Sequence, residues 1–188
     1  MTELEQIGGD LRFVRGALAS SERRKSPAAL YFFWAAAVLV GFVLVDFRQA
    51  LVGPYWAVTG PAGFVASAYM GWRHARHTGQ VSAADGRRHL LHWGGMLLAI
   101  ALALLMPSRG VLSWDALNSV ILLILAFGYF SAGVHGERPF IWVGALMGAG
   151  YIVVTLVQAY AWTMVGVALA LALTIAGIRG GRALEAAP

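Results

Sequence analysis

The sequence contains no cysteine. That excludes disulfides, thiolate metal centres and cysteine nucleophiles, and it removes the usual clue to redox compartment. Charge is also scarce. Asp, Glu, Lys and Arg make up 12% of the 188 residues, where a soluble domain devotes roughly a quarter to wetting its surface. Lysine occurs once, as Lys25, so the formal net charge of +5 is carried almost wholly by arginine. Those arginines lie between apolar runs, whereas nucleic-acid binding calls for a basic stripe on a folded surface. No nucleic-acid partner is expected. A cleaved signal peptide is not expected either, because the first 25 residues hold Glu3, Glu5, Asp10 and Glu22 and no apolar core. No Ser-His-carboxylate set, phosphate-binding glycine loop or dinucleotide fingerprint is present. There is no catalytic residue to name, and a non-enzymatic role is expected.

What the sequence has in quantity is hydrophobicity: 59% of residues are hydrophobic and the mean hydropathy is +0.69. A bilayer core about 30 Å thick needs about 20 apolar residues per helix. Six segments qualify: 28–45, 55–72, 90–106, 114–134, 140–159 and 162–178. A single helix over 140–178 would be about 58 Å long at 1.5 Å per residue, so a tight turn is expected at Tyr160-Ala161. The expected fold is therefore an all-α integral membrane protein with six transmembrane helices over residues 28–178. A cytoplasmic amphipathic helix and basic linker (1–27) precede them, and a cytoplasmic tail (179–188) follows.

Orientation follows from the Lys/Arg bias of short loops. The side of the N-terminus collects Arg12, Arg15, Arg23, Arg24 and Lys25, then Arg73, Arg76, Arg87 and Arg88, then Arg138, Arg179 and Arg182. The other side holds Arg48 and Arg109. Both termini are expected in the cytoplasm, and the membrane is expected to be a bacterial inner membrane. The excess of arginine over lysine suggests a GC-rich source. Tryptophan, which favours the membrane interface, agrees. Trp34, Trp72, Trp93 and Trp142 fall at the expected inner boundary and Trp56, Trp114 and Trp162 at the outer one, so these seven are candidate interface anchors.

The six spans read as three hairpins, 28–72, 90–134 and 140–178. Phe33-Trp34, His92-Trp93 and Ile141-Trp142 align, a second Trp follows each, and the hairpins end on Gly71-Trp72-Arg73, Gly136-Glu137-Arg138 and Gly177-Ile178-Arg179. Taken with Gly94-Gly95, Met106-Pro107, Gly133, Gly144 and Gly148, this pattern resembles the short-repeat membrane proteins of the HdeD type. The resemblance is best over residues 90–182. In the first hairpin Gly53-Pro54 stands in for the outer-turn proline, the third hairpin has none, and residues 1–27 lie outside it. It implies a six-helix inner-membrane protein linked to acid or envelope stress, with no established chemistry.

Helices in lipid associate through small residues, and two spans are rich in them: Gly144, Ala145, Gly148 and Ala149 in the fifth, and Gly166, Ala170, Ala176 and Gly177 in the sixth. These two helices are expected to pack on each other, with a homodimer face as the alternative. Pro61 is expected in the first turn of the second span, a favourable place for proline; a broken helix is the alternative. At the outer ends, Asp115 suits the start of a helix, and Asp46 is placed to pair with Arg48.

Residues 1–27 carry Leu4, Ile7, Leu11, Val14 and Leu18 at spacings of three and four, a one-sided helical stripe. It suits either a membrane surface with anionic lipids or a helix of a partner protein or second copy. Membrane lipids are the other expected partner. All five histidines fall on the inner side: His74, His77, His89, His92 and His135. The first four form i, i+3 pairs, which share a helix face, with Glu137 and Asp85 near in sequence. They are candidates for a first-row metal or, from facing helices, a b-type haem. The interleaved arginines oppose a cation, so no cofactor is expected. A third use is pH sensing, in which imidazoles gain charge on acidification.

No ionisable residue falls deep within an expected span, which is where transport chemistry usually sits. The leading expectation is an interaction, regulatory or stress-tolerance protein. A small transporter or channel is the first alternative, and it requires Ser67, Asn118, Ser119, Ser131, Thr155 and Gln158 to share one path. A histidine-based metal or haem protein is the second.

Overall fold

The computed structural model describes residues 28–77, 83–135, 138–157 and 159–185. The amphipathic helix expected over 1–27 lies outside these residues, as do Glu137 and Gln158. Among the described residues there are seven helical segments and no strand: α1 Ala28–Phe47, α2 Gln49–His77, α3 Ala83–Ala103, α4 Leu105–Ser108, α5 Trp114–His135, α6 Pro139–Leu156 and α7 Ala161–Glu185.

The breaks between helices have local causes. Only Arg48 separates α1 from α2; its N–H donates to the Leu44 carbonyl and its own carbonyl accepts from Leu51 N–H, both at 2.8 Å. Gly110 takes a left-handed φ of 70° in the turn before α5. The hydroxyl of Ser113 then accepts from Ala116 N–H at 3.1 Å, and Asp115 sits in the first turn, where its charge favours the positive end of the helix dipole. α6 opens on Pro139 at its first position, where the missing N–H costs nothing. It stops at Val157, which is extended. Tyr160, at φ 56°, reverses the chain into α7. The tight turn expected at Tyr160-Ala161 is there, with α6 ending three residues early.

Two expectations need correction. Pro61 lies well inside α2, which begins at Gln49 and also contains Pro54; the helix runs on through both. Asp46 bonds the backbone N–H of Thr163 at 2.7 Å, so its partner is the start of α7 and not Arg48. The span expected over 90–106 lies within one helical stretch, Gly86–Ser108, in which α3 and α4 meet at Leu104. Helix α7 runs past the expected sixth span to Glu185.

Each helix packs on its neighbours in the order α2, α1, α7, α6, α5, α3, and among the described residues α2 does not touch α3. The contacts run antiparallel. Gly166 lies against Phe42 and Gly177 against Tyr31, which aligns α1 with α7; Trp34 meets Ser67 while Tyr55 meets Ala37, which aligns α1 with α2. The two most extensive interfaces are α1 with α7 and α5 with α6. Both join helices from different expected hairpins, so close packing is stronger between those units than within them. The small residues of α6 and α7 correspondingly serve different partners. A side chain at Gly144 would run into the backbone of α5 at Phe130 and Ala126, whereas Gly148 has open space. Only Gly150 looks at α7, against Val165.

The core joins Tyr31, Val38, Leu122, Met147, Leu169 and Leu173 with their neighbours, and no polar or charged residue is buried among the described residues. Much of the remaining apolar surface points outward, as with Phe127 at 75% exposed and Ile152 at 58%. Exposed apolar side chains in this number suggest a membrane protein. Among the described residues, five helical stretches are long and apolar enough to cross a membrane: Ala28–Phe47, Gly86–Ser108, Trp114–His135, Pro139–Leu156 and Ala161–Arg179. The expected second span is not among them. At 29 residues α2 has ample length, about 43 Å at 1.5 Å per residue, but its glycines, prolines, Tyr and Trp dilute the hydropathy.

Candidate functional site

Antiparallel packing gathers the start of α1, the end of α2, the start of α6 and the end of α7 at one end of the molecule. Tyr31 of α1 meets Phe140 of α6 there, with ring centroids 6.1 Å apart. This end carries Arg73, Arg76, Arg138 and Arg179. At the opposite end Asp46 holds the start of α7, and Gln49 donates to Asp115 at 2.9 Å.

An aromatic cluster underlies the arginine-rich end. Trp93 of α3 stands edge-on to Tyr129 of α5 at 5.1 Å and to Phe140 at 6.1 Å, and Tyr129 stands edge-on to Phe140 at 5.5 Å. The T-shaped geometry sets ring edges against ring faces, a preferred arrangement for such pairs. Four elements meet in this cluster once Tyr31 is included.

The candidate histidines are not gathered into a ligand set. His92 is half-buried, and its Nε2 donates to the Gly128 carbonyl of α5 at 3.0 Å. His135 donates from Nδ1 to the Ser131 carbonyl one turn back, at 2.9 Å. In each ring the other nitrogen keeps its lone pair. His89 is exposed beside Trp93. His74 and His77 lie in the last turn of α2, which does not touch α3. Among the described residues no group of three or more His, Asp or Glu is placed to hold a metal ion.

The tryptophans divide into two sets. Trp72, Trp114 and Trp142 are exposed, at 51%, 61% and 78%, and the Arg76 guanidinium lies 4.1 Å above the Trp72 ring, within cation–π range. The other four are half-buried and pack between helices. Trp34 covers Gly63 and donates to the Ser67 hydroxyl at 2.9 Å. Trp56 covers Gly41. Trp93 sits in the aromatic cluster, and Trp162 meets Phe42 at 5.5 Å. The signal that could have separated the sets is glycine: Gly41 and Gly63 each lie where an indole fills the space of a missing side chain.

Two of the polar residues that a transport path would need, Ser67 and Thr155, are tied locally. Ser67 donates to the Gly63 carbonyl at 2.7 Å while accepting from Trp34. Thr155 is exposed and donates to the Tyr151 carbonyl of its own helix at 2.7 Å. The hydroxyl of Thr163 is buried without a hydrogen-bond partner, on the same residue whose backbone N–H bonds Asp46.

Sequence reasoning passed over a cleft of about 430 Å³ at the arginine-rich end, between α1, α6 and α7. Arg138 and Arg179 both line it, with Tyr31, Trp142, Val143 and Ile175. Each arginine was read only as a topology signal, and nothing in the spacing of residues 138 and 179 joins them. The packing of α6 beside α7 does.

No family model, curated protein or solved structure matches this chain. The resemblance to HdeD-type proteins rests on its motif residues alone.

Proposed function

We propose that this chain is a multi-pass protein of a bacterial inner membrane that works by interaction or regulation, with stress tolerance as its setting, and not by catalysis or transport. In this reading α2 is a sixth span beside the five apolar ones, the chain enters and returns as three hairpins, and both termini lie in the cytoplasm with the arginine-rich end. The observation that carries the reading is the contrast between core and end. The described core holds apolar side chains packed around glycines, while the exposed polar chemistry collects where α1, α2, α6 and α7 converge. A helix assembly packed in this way offers a fixed surface to a partner.

Crosslinking in cells tests the reading. A photo-reactive residue at Arg87 or His135, both exposed, followed by purification in mild detergent, should trap one discrete partner at the arginine-rich end. The same residue at Arg109 should trap none. Bound metal or a haem Soret band in the purified protein, or solute flux in proteoliposomes without a trapped partner, would transfer the assignment to the histidine-based or transporter alternative.

A further inference from the structure

We propose that the cleft between α1, α6 and α7 is a binding site for one anionic phospholipid, its phosphate held by Arg138 and Arg179. Arg138 and Arg179 both line the cleft, and both residues are exposed. They reach it from helices that run in opposite directions, Arg138 at the start of α6 and Arg179 in the last part of α7. A phosphodiester placed between them receives charge-assisted hydrogen bonds from two planar donors, the arrangement that guanidinium groups favour. The start of α6 adds the positive end of an 18-residue helix.

The rest of the cleft identifies the ligand as a lipid. Val143, Ala172, Ile175 and Ala176 form an apolar wall that runs from the arginines toward the middle of the spans. A free phosphate gains nothing from that wall, whereas an acyl chain lies along it. Trp142, 78% exposed at the mouth, presents an amphipathic ring at headgroup level, the depth Trp favours. Basic pockets between helices at the cytoplasmic leaflet suit anionic headgroups on the same grounds. The charge of the cleft selects against zwitterionic lipids, whose ammonium would face the same two arginines.

The test uses the full chain, purified in a zwitterionic detergent and titrated with phosphatidylglycerol or phosphatidylcholine while native mass spectrometry counts bound lipids. One phosphatidylglycerol per chain should be retained, and phosphatidylcholine should not compete with it. At about 1 kcal/mol per surface arginine, Arg138→Gln or Arg179→Gln should weaken retention about 5-fold and the double variant about 30-fold. Arg138→Lys should keep most of it. The double variant Arg87→Gln, Arg88→Gln removes the same charge from the exposed start of α3 and should change retention less than about twofold. Equal loss in that control, equal retention of the two lipids, or displacement by millimolar inorganic phosphate would overturn the proposal. Circular dichroism shows whether each variant is folded. If the glutamine variants lose helix, the part of the tryptophan quenching by brominated phosphatidylglycerol that Trp142→Phe removes decides: a part no greater than with brominated phosphatidylcholine refutes the site.

Discussion

Replacing Gly144 by alanine should separate α5 from α6, and replacing Gly148 should not. The added methyl at Gly144 would stand 2.7 Å from both the Ala126 carbonyl oxygen and the Phe130 Cα. These are backbone atoms of an intact helix, so no side chain can swing away. The backbone N of Phe130 lies closer still, so restoring an ordinary contact of 3.4 Å parts the helices by about 1 Å. A gap of that size forfeits a quarter to a half of each dispersion contact it opens, and overpacking of this kind costs about 1–3 kcal/mol. Alanine returns up to about 1 kcal/mol through helix propensity, leaving a net loss of about 0–2 kcal/mol. Gly148, with nothing within 4 Å, takes the propensity gain without the clash. The difference between the two variants is the informative quantity, because propensity cancels from it. It should be about 1–3 kcal/mol in reversible unfolding by sodium dodecyl sulfate in mixed micelles, followed by helix content. Equal stability of the two variants would refute close backbone approach as the basis of the α5–α6 interface.

Four further outcomes follow from particular contacts. Asp46→Ala should lose about 1 kcal/mol with the cap on Thr163 N–H, and Asp46→Asn less, in the same unfolding assay. His92→Phe should lose about 1 kcal/mol as its bond to the Gly128 carbonyl goes, while His135→Phe, exposed and bonded within its own helix, should lose less. Tyr160 holds a left-handed φ of 56°, so Tyr160→Gly should be more stable than Tyr160→Val by about 1–2 kcal/mol; equal stability would show that the turn is not held there. Because the chain has no native cysteine, single cysteines at Arg109 and Arg138 can be labelled cleanly with an impermeant maleimide in intact cells. The first should react and the second should not, and the reverse pattern would invert the proposed orientation.

How much of this was legible in the sequence depends on what lipid demands of a helix. Lengths and turns were legible because composition governs them directly. An apolar run must stop where Ser113 and Asp115 can start a new helix, or where the chain reverses at Tyr160. The exception, α2, fails for a related reason. Gly60, Pro61 and Gly63 read as a helix start, yet the residues before them, from Gln49 onward, are themselves helical. Partners were not legible. A helix in water marks its buried face with an apolar stripe, but a helix in lipid is apolar on every side. Small residues then mark only that something approaches closely. Gly144 and Gly166 looked like two halves of one contact, yet the first receives the backbone of α5 and the second Phe42 of α1.

The same limit explains why tryptophan served the topology reading better than it described the site. An indole at a span boundary satisfies the interface preference whether it faces lipid or a neighbouring helix, since both place its apolar body inward and its N–H near a polar group. Trp34 makes the point: it lies at the expected boundary, but its N–H is bonded to Ser67 and its ring fills the space over Gly63. Trp142, with the same sequence context in the aligned repeat, faces outward at the mouth of the arginine cleft. What separates them is the residue opposite, a glycine for Trp34 and open space for Trp142. Identical motif positions therefore take unlike roles according to which helices flank them. The function of the arginine-rich end has to be sought in the unlike members, and Trp142 with Arg138 and Arg179 is the set that packing leaves accessible.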